Sequence, residues 1–150
     1  MDIINKEEKL EHLVPVFKEL FSLNKEVSFT PYGTSMEPTI DSGKDEVTLV
    51  KPENIKKLDI VLYQRKSGQY VLHRIYKITK DSTYTMCGDG LVHLEKGIKP
   101  EQIIGLVISY THLQKTIKRS EAAYYRIGQK RKLTRPIRHI IWKLKQIYGR

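Results

Sequence analysis

The sequence predicts a mainly β domain, a rolled antiparallel sheet with one helix before it and a basic amphipathic helix after it. Two observations carry this expectation. Six short β-branched and aromatic runs, EVSFT, EVTLV, DIVLYQ, QYVLHRIYKI, TYTM and IIGLVISY, are separated by turn chemistry rather than by helical segments. Apolar residues at the two ends of the chain recur instead at helical spacing.

Residues 5–22 read as a helix because Leu10, Leu13, Val14, Phe17, Leu20 and Phe21 form one apolar face. Pro15 lies inside that pattern, so the helix is expected to kink or begin there. The six strands follow, punctuated by PYGTS, DSGKD, RKSGQ, KDS and GDG; KSGQ between two strands is a hairpin signal. After Tyr110 the pattern loosens into a basic, Tyr-bearing segment. A last helix is predicted from near Pro136, a favoured first-turn residue, with Ile137, Ile140, Ile141, Leu144, Ile147 and Tyr148 on one face. Arg138, Lys143 and Lys145 fall mostly off that face and Trp142 near its edge. The organisation is therefore an N-terminal helix over 1–25, a β domain over 26–112 and a basic helical extension over 113–150.

A chain of 150 residues suits one domain with a real core, and 39% hydrophobic with 29% charged residues argues against disorder. The single Cys87 excludes an internal disulfide and reads as a small buried hydrophobe. MDIINKEEKLEHLV is charged and lacks the apolar centre of a secretory signal. No stretch approaches the ~20 apolar residues of a membrane-spanning helix. Cytoplasmic or peripheral placement at the cytoplasmic membrane is the expectation. Charge is uneven: from Lys115 onward twelve cations meet only Glu121, while residues 1–114 are close to neutral. Such a tail suits an anionic membrane surface or a helix packed on the core; nucleic acid is the less favoured partner.

The stretch Gly33-Thr34-Ser35-Met36-Glu37-Pro38-Thr39-Ile40 would present Ser35 on a rigid loop, since Gly33 permits a tight turn and Pro38 fixes the exit direction. A serine hydroxyl is a weak nucleophile unless a base removes its proton. Taken alone, Ser35 is an ordinary turn residue. Further along, strand alternation puts Val71, His73 and Ile75 on one face, where burial would keep the imidazole neutral, as a general base requires. An isolated histidine there is equally an ordinary core residue. Gly88-Asp89-Gly90 is an ordinary turn signal by itself.

Together these segments resemble a known family. Ser35-Met36-Glu37-Pro38-Thr39, Leu58-Asp59-Ile60-Val61, Tyr70-Val71-Leu72-His73-Arg74-Ile75, Gly88-Asp89-Gly90 and Ile103-Ile104-Gly105-Leu106-Val107 look like the ordered boxes of type I signal peptidases. The likeness covers about residues 28–110. It is to the archaeal and endoplasmic-reticulum branch, which pairs Ser with His, within a superfamily that includes self-cleaving repressor peptidases. It implies a partly open, barrel-like β core and a serine endopeptidase that cleaves signal or leader peptides bound as an added strand. It implies Ser35 as nucleophile, His73 as base and Asp89 as the acidic support. Glu95 stands where this branch has a second aspartate and is an alternative support. Gly33, Thr34 and Met36 flank the nucleophile as substrate- and oxyanion-binding positions. Such enzymes usually carry a transmembrane anchor, and no stretch of this sequence reads as one.

No metal ligand spacing, HExxH, paired CxxC or phosphate loop is present, and a Ser–His mechanism requires no cofactor. His93 reads as a surface or loop residue. Two alternatives remain open. One is a self-cleaving regulator of the same superfamily, which would ordinarily carry a DNA-binding domain and a Ser–Lys pair. The other is a non-catalytic module whose basic tail binds membrane or nucleic acid.

Overall fold

Alternation and turn chemistry in the middle of the chain become an eight-stranded antiparallel sheet that does not close. The computed structural model describes residues 6–149. In chain order the elements are α1 (Lys6–Ser22), β1 (Val27–Phe29), β2 (Val47–Val50), β3 (Ile60–Gln64), β4 (Tyr70–Ile78), β5 (Tyr84–Cys87), β6 (Glu95–Ile98), β7 (Ile103–His112), β8 (Lys115–Lys118) and α2 (Ala122–Tyr148). The strands lie in the order β1-β2-β7-β3-β4-β5-β6, with β8 paired to β7. The six predicted strands correspond to β1–β5 and β7. Both strands missing from that expectation, EKGI in β6 and KTIK in β8, are short and charged, with little hydrophobic alternation to reveal them.

Both faces of the sheet are covered, because β3 is buried along Ile60–Tyr63 and alternates its side chains between two cores. Ile60 and Leu62 join Val14, Phe17 and Phe21 of α1 and Leu49 and Val107 of the sheet. Val61 and Tyr63 join Ile75, Met86, Ile98 and Leu106 on the other side. Burying Phe17 and Phe21 contributes about 2 kcal/mol each, enough to hold α1 across the sheet. Pro15 sits within α1, not at its start; residue 5 of the predicted helix lies outside the described residues. The KSGQ hairpin forms as predicted, with Gly68 at φ 93° and Gln64 paired to Tyr70.

The last helix departs from expectation. It begins at Ala122, and Pro136 lies inside it. Its first turns are fixed by Tyr124, fully buried, whose hydroxyl donates to the Val107 carbonyl and accepts from the Ile60 N–H. Gly128 lets the helix approach the sheet: a Cβ there would stand 2.6 Å from Cδ of Arg74. Ahead of it, Arg119 grips the buried Asp59 carboxylate with two bonds of 2.8 Å. Periodicity of Leu and Ile could not reveal this inner face, which is made of Tyr, Gly and Arg. Among the described residues no helix is long and apolar enough to cross a membrane.

Candidate active site

The loop between β1 and β2 carries Ser35, and the loop between β5 and β6 packs directly against it. The Gly90 N–H donates to the Ser35 carbonyl at 2.9 Å. A Cβ on Gly90 would lie 2.8 Å from the carbonyl oxygens of Thr34 and Glu37, so only glycine fits between the two loops. Gly88 is the meeting point. A Cβ built there would stand 2.4 Å from the Ser35 carbonyl oxygen and 3.1 Å from Nε2 of His73. The Ser35 backbone carbonyl and the Nε2 edge of His73 thus border the same small gap, and among the described residues no hydrogen bond joins the Ser35 hydroxyl to His73.

His73 is 4% exposed, on the same buried side of β4 as Val71 and Ile75. Burial pushes its pKa down to about 4, and the nearby Arg65 guanidinium adds to that shift; Glu95 and, less strongly, Asp89 oppose it. The imidazole is neutral at pH 7. Its Nδ1 lies 3.3 Å from the Tyr63 hydroxyl, which donates to Glu95 at 2.7 Å. A phenol has one proton, and Glu95 receives it, so the Tyr63 oxygen accepts from an Nδ1–H. Nε2 is then left with a free lone pair on the ring edge that borders Gly88. That is the tautomer a general base needs.

Glu95 is held in turn by Arg65, whose Nε–H is shared between the two carboxylate oxygens at 2.9 and 2.8 Å. Partial burial alone would raise its pKa, but the bonds from Arg65 and Tyr63 outweigh that and keep its carboxyl below the usual range. Burial and the Glu95 carboxylate push the Tyr63 phenol far above its ordinary value, so it stays a donor.

Asp89 occupies a different position. Its carboxylate accepts from Nε and a terminal nitrogen of Arg74 at 2.9 and 2.8 Å, and from the Thr39 hydroxyl. Arg74 also donates to the carbonyls of Leu58 and Tyr124. All members of this pair are buried and bonded. Asp89 therefore ties the Gly88–Gly90 turn to β4, the Ser35 loop and α2, whereas the acid that reaches His73 is Glu95, through Tyr63. Tyr63 and Arg65 escaped sequence reasoning. The available signal was register: β3 pairs Val61 with His73, which places Tyr63 on the diagonal, same-face position.

Around Ser35, Gly33 has φ 105° and its N–H donates to the Ser42 hydroxyl. Thr34 is exposed, its carbonyl accepting from Glu37. Met36 is buried, its sulfur 3.5 Å from the Asp89 N–H. Among the described residues neither the hydroxyl nor the backbone N–H of Ser35 has a hydrogen-bond partner. Ser35 is half-buried at the wall of a groove.

That side of the molecule is a groove of about 1090 Å³, lined by Phe29, Ser35, Met36, Tyr70, Leu72 and His73 among others. β1 is an edge strand, and β4 pairs with β5 only from Arg74 onward, so residues 70–73 present a free edge on that side. Both edges have backbone groups to offer an extended peptide.

Of the other candidates, Cys87 is buried and free, and burial raises its thiol pKa. His93 is exposed, edge-on to Trp142 with ring centroids 4.5 Å apart. Spacing gave no metal site, but the fold gathers Asp41, Asp45 and His112 so that their ligand atoms lie within 4.8 Å of one another. There His112 Nδ1 is 3.0 Å from the Asp45 carboxylate, which also accepts from the Asp41 N–H. No family model, curated protein or solved structure matches the chain.

Proposed function

We propose that this protein is a serine endopeptidase of the signal-peptidase type, cleaving a signal or leader segment held in extended form. The observation that carries this is that the Ser35 loop and the Nε2 edge of a neutral, buried His73 both border Gly88 and line one groove with two free strand edges. A peptide adding to β1 or to residues 70–73 of β4 would gain main-chain bonds, while Phe29, Met36 and Leu72 favour apolar side chains. Nε2 of His73 takes the Ser35 proton as Oγ attacks the scissile carbonyl, and the free Ser35 N–H donates to the oxyanion. His73 then protonates the departing amine, leaving an acyl-serine. Water, deprotonated by the same nitrogen, releases the acid and restores Ser35. Tyr63 and Glu95 take the orienting role that a triad carboxylate plays by direct contact. Placement at the cytoplasmic side, and leader peptides as substrates, belong to the same proposal.

Ser35→Ala and His73→Ala, tested against a library of leader peptides by mass spectrometry, decide the matter. Each is expected to lower cleavage by about 10³-fold or more. If both variants cleave as well as the parent, the proposal is wrong.

A further inference from the structure

α2 is amphipathic in an unusual sense: its polar side faces the protein and its apolar side faces out. At about 100° per residue, Tyr124, Gly128, Arg131, Arg135 and Arg138 form one stripe toward the body. Arg131 donates to the Asp89 carbonyl, Arg135 to that of Val92 and Arg138 to that of Leu91. Leu133, Ile137, Ile140, Leu144 and Ile147 lie diametrically opposite and are between 48% and 80% exposed. Lys143 lies beside this outer stripe on one side and Lys130 on the other, and Lys145 is exposed between the two stripes.

We propose that the outer face of α2, from Leu133 to Tyr148, docks on an anionic lipid bilayer. Two features select this partner. An uncovered row of Leu and Ile side chains is costly in water and fits the boundary between lipid headgroups and acyl chains. Exposed cations on or beside that row, Arg126, Lys130 and Lys143, complement an anionic leaflet, with the inward arginines of the same helix adding to its positive field. A nucleic acid would satisfy the charge and leave the apolar row bare. A second copy would cover the row but bring two strongly cationic helices together. Since the inner arginines hold the Asp89–Val92 loop, docking would also fix the Ser35 groove relative to the bilayer surface. The docking itself is independent of whether Ser35 is catalytic.

Co-sedimentation of the full chain with phosphatidylcholine vesicles, with and without phosphatidylglycerol, tests it. Binding is expected to be more than about tenfold tighter to the anionic vesicles and to weaken with salt. Ile140→Glu combined with Leu144→Glu should lower that binding more than about tenfold, while circular dichroism and the thermal midpoint stay at parental values, because both side chains already face solvent. Lys143→Glu with Lys145→Glu should weaken anionic binding selectively. Equal binding to neutral vesicles, or undiminished binding by the Ile140/Leu144 variant, overturns the proposal. So does a lipid-free dimer in ultracentrifugation that this variant disperses, or tight duplex DNA binding without vesicle binding.

Discussion

Tyr63 stands 3.3 Å from Nδ1 of His73 and gives its only proton to Glu95, so a phenol, not a carboxylate, touches the imidazole. This relay fixes the tautomer while keeping the negative charge one residue removed. It fits a histidine that burial and Arg65 already hold in the neutral form.

Replacing Tyr63 by Phe frees Nδ1 from its acceptor. Nitrogen shifts of the His73 ring are expected to change from a single Nδ1–H tautomer in the parent to a mixture in the variant. Cleavage should fall about 10–100-fold, while the lost hydrogen bond costs only about 1 kcal/mol of stability. An unchanged tautomer would show that Tyr63 does not set it.

The pH dependence has a defined sign. His73 titrates near 4 when folded and near 6.5 when unfolded, so between those values the unfolded chain binds the extra proton. Stability therefore decreases as pH falls from about 6.5 toward 4 and gains nothing from this group above 6.5. By pH 4 the loss is roughly 3 kcal/mol. Urea unfolding of the parent and of His73→Asn should diverge across that window, the parent losing more. A His73 ring titrating at 6.5 by NMR would contradict this.

The two acids should fail differently. Asp89→Asn leaves the buried Arg74 charge without its partner and should cost about 3–5 kcal/mol, seen as a large drop in thermal midpoint. Glu95→Gln breaks a partly exposed pair and should cost under about 1 kcal/mol. It should nevertheless lower cleavage in a protein that stays folded. A stable Asp89→Asn variant with lost activity would return the orienting role to Asp89.

Gly88→Ala puts a methyl group 2.4 Å from the Ser35 carbonyl oxygen and 3.1 Å from the His73 ring. One of them must move. Labelling of Ser35 by a fluorophosphonate should slow by about tenfold or more relative to the parent, a readout that needs no peptide substrate. Parental labelling would mean the gap is wider than this geometry allows.

What the sequence determined by itself is local. Alternation marked β1–β5 and β7, helical spacing marked α1, and the run from Tyr70 to Ile75 put His73 on a buried face, because burial of one side of a strand writes a period into the residues. The charged strands β6 and β8 left no such period. The tertiary structure alone decided which side chains meet. Cross-strand register, not proximity in sequence, brought Tyr63 to His73 and Glu95 to Tyr63. Close approach at Gly88 and Gly90 packed the Ser35 loop against the turn that borders His73. For α2, spacing gave an apolar face but not its direction: arginines bonded to buried-side carbonyls hold the helix with that face outward. A helical period records that one side differs from the other; only the packed neighbours decide which side is covered.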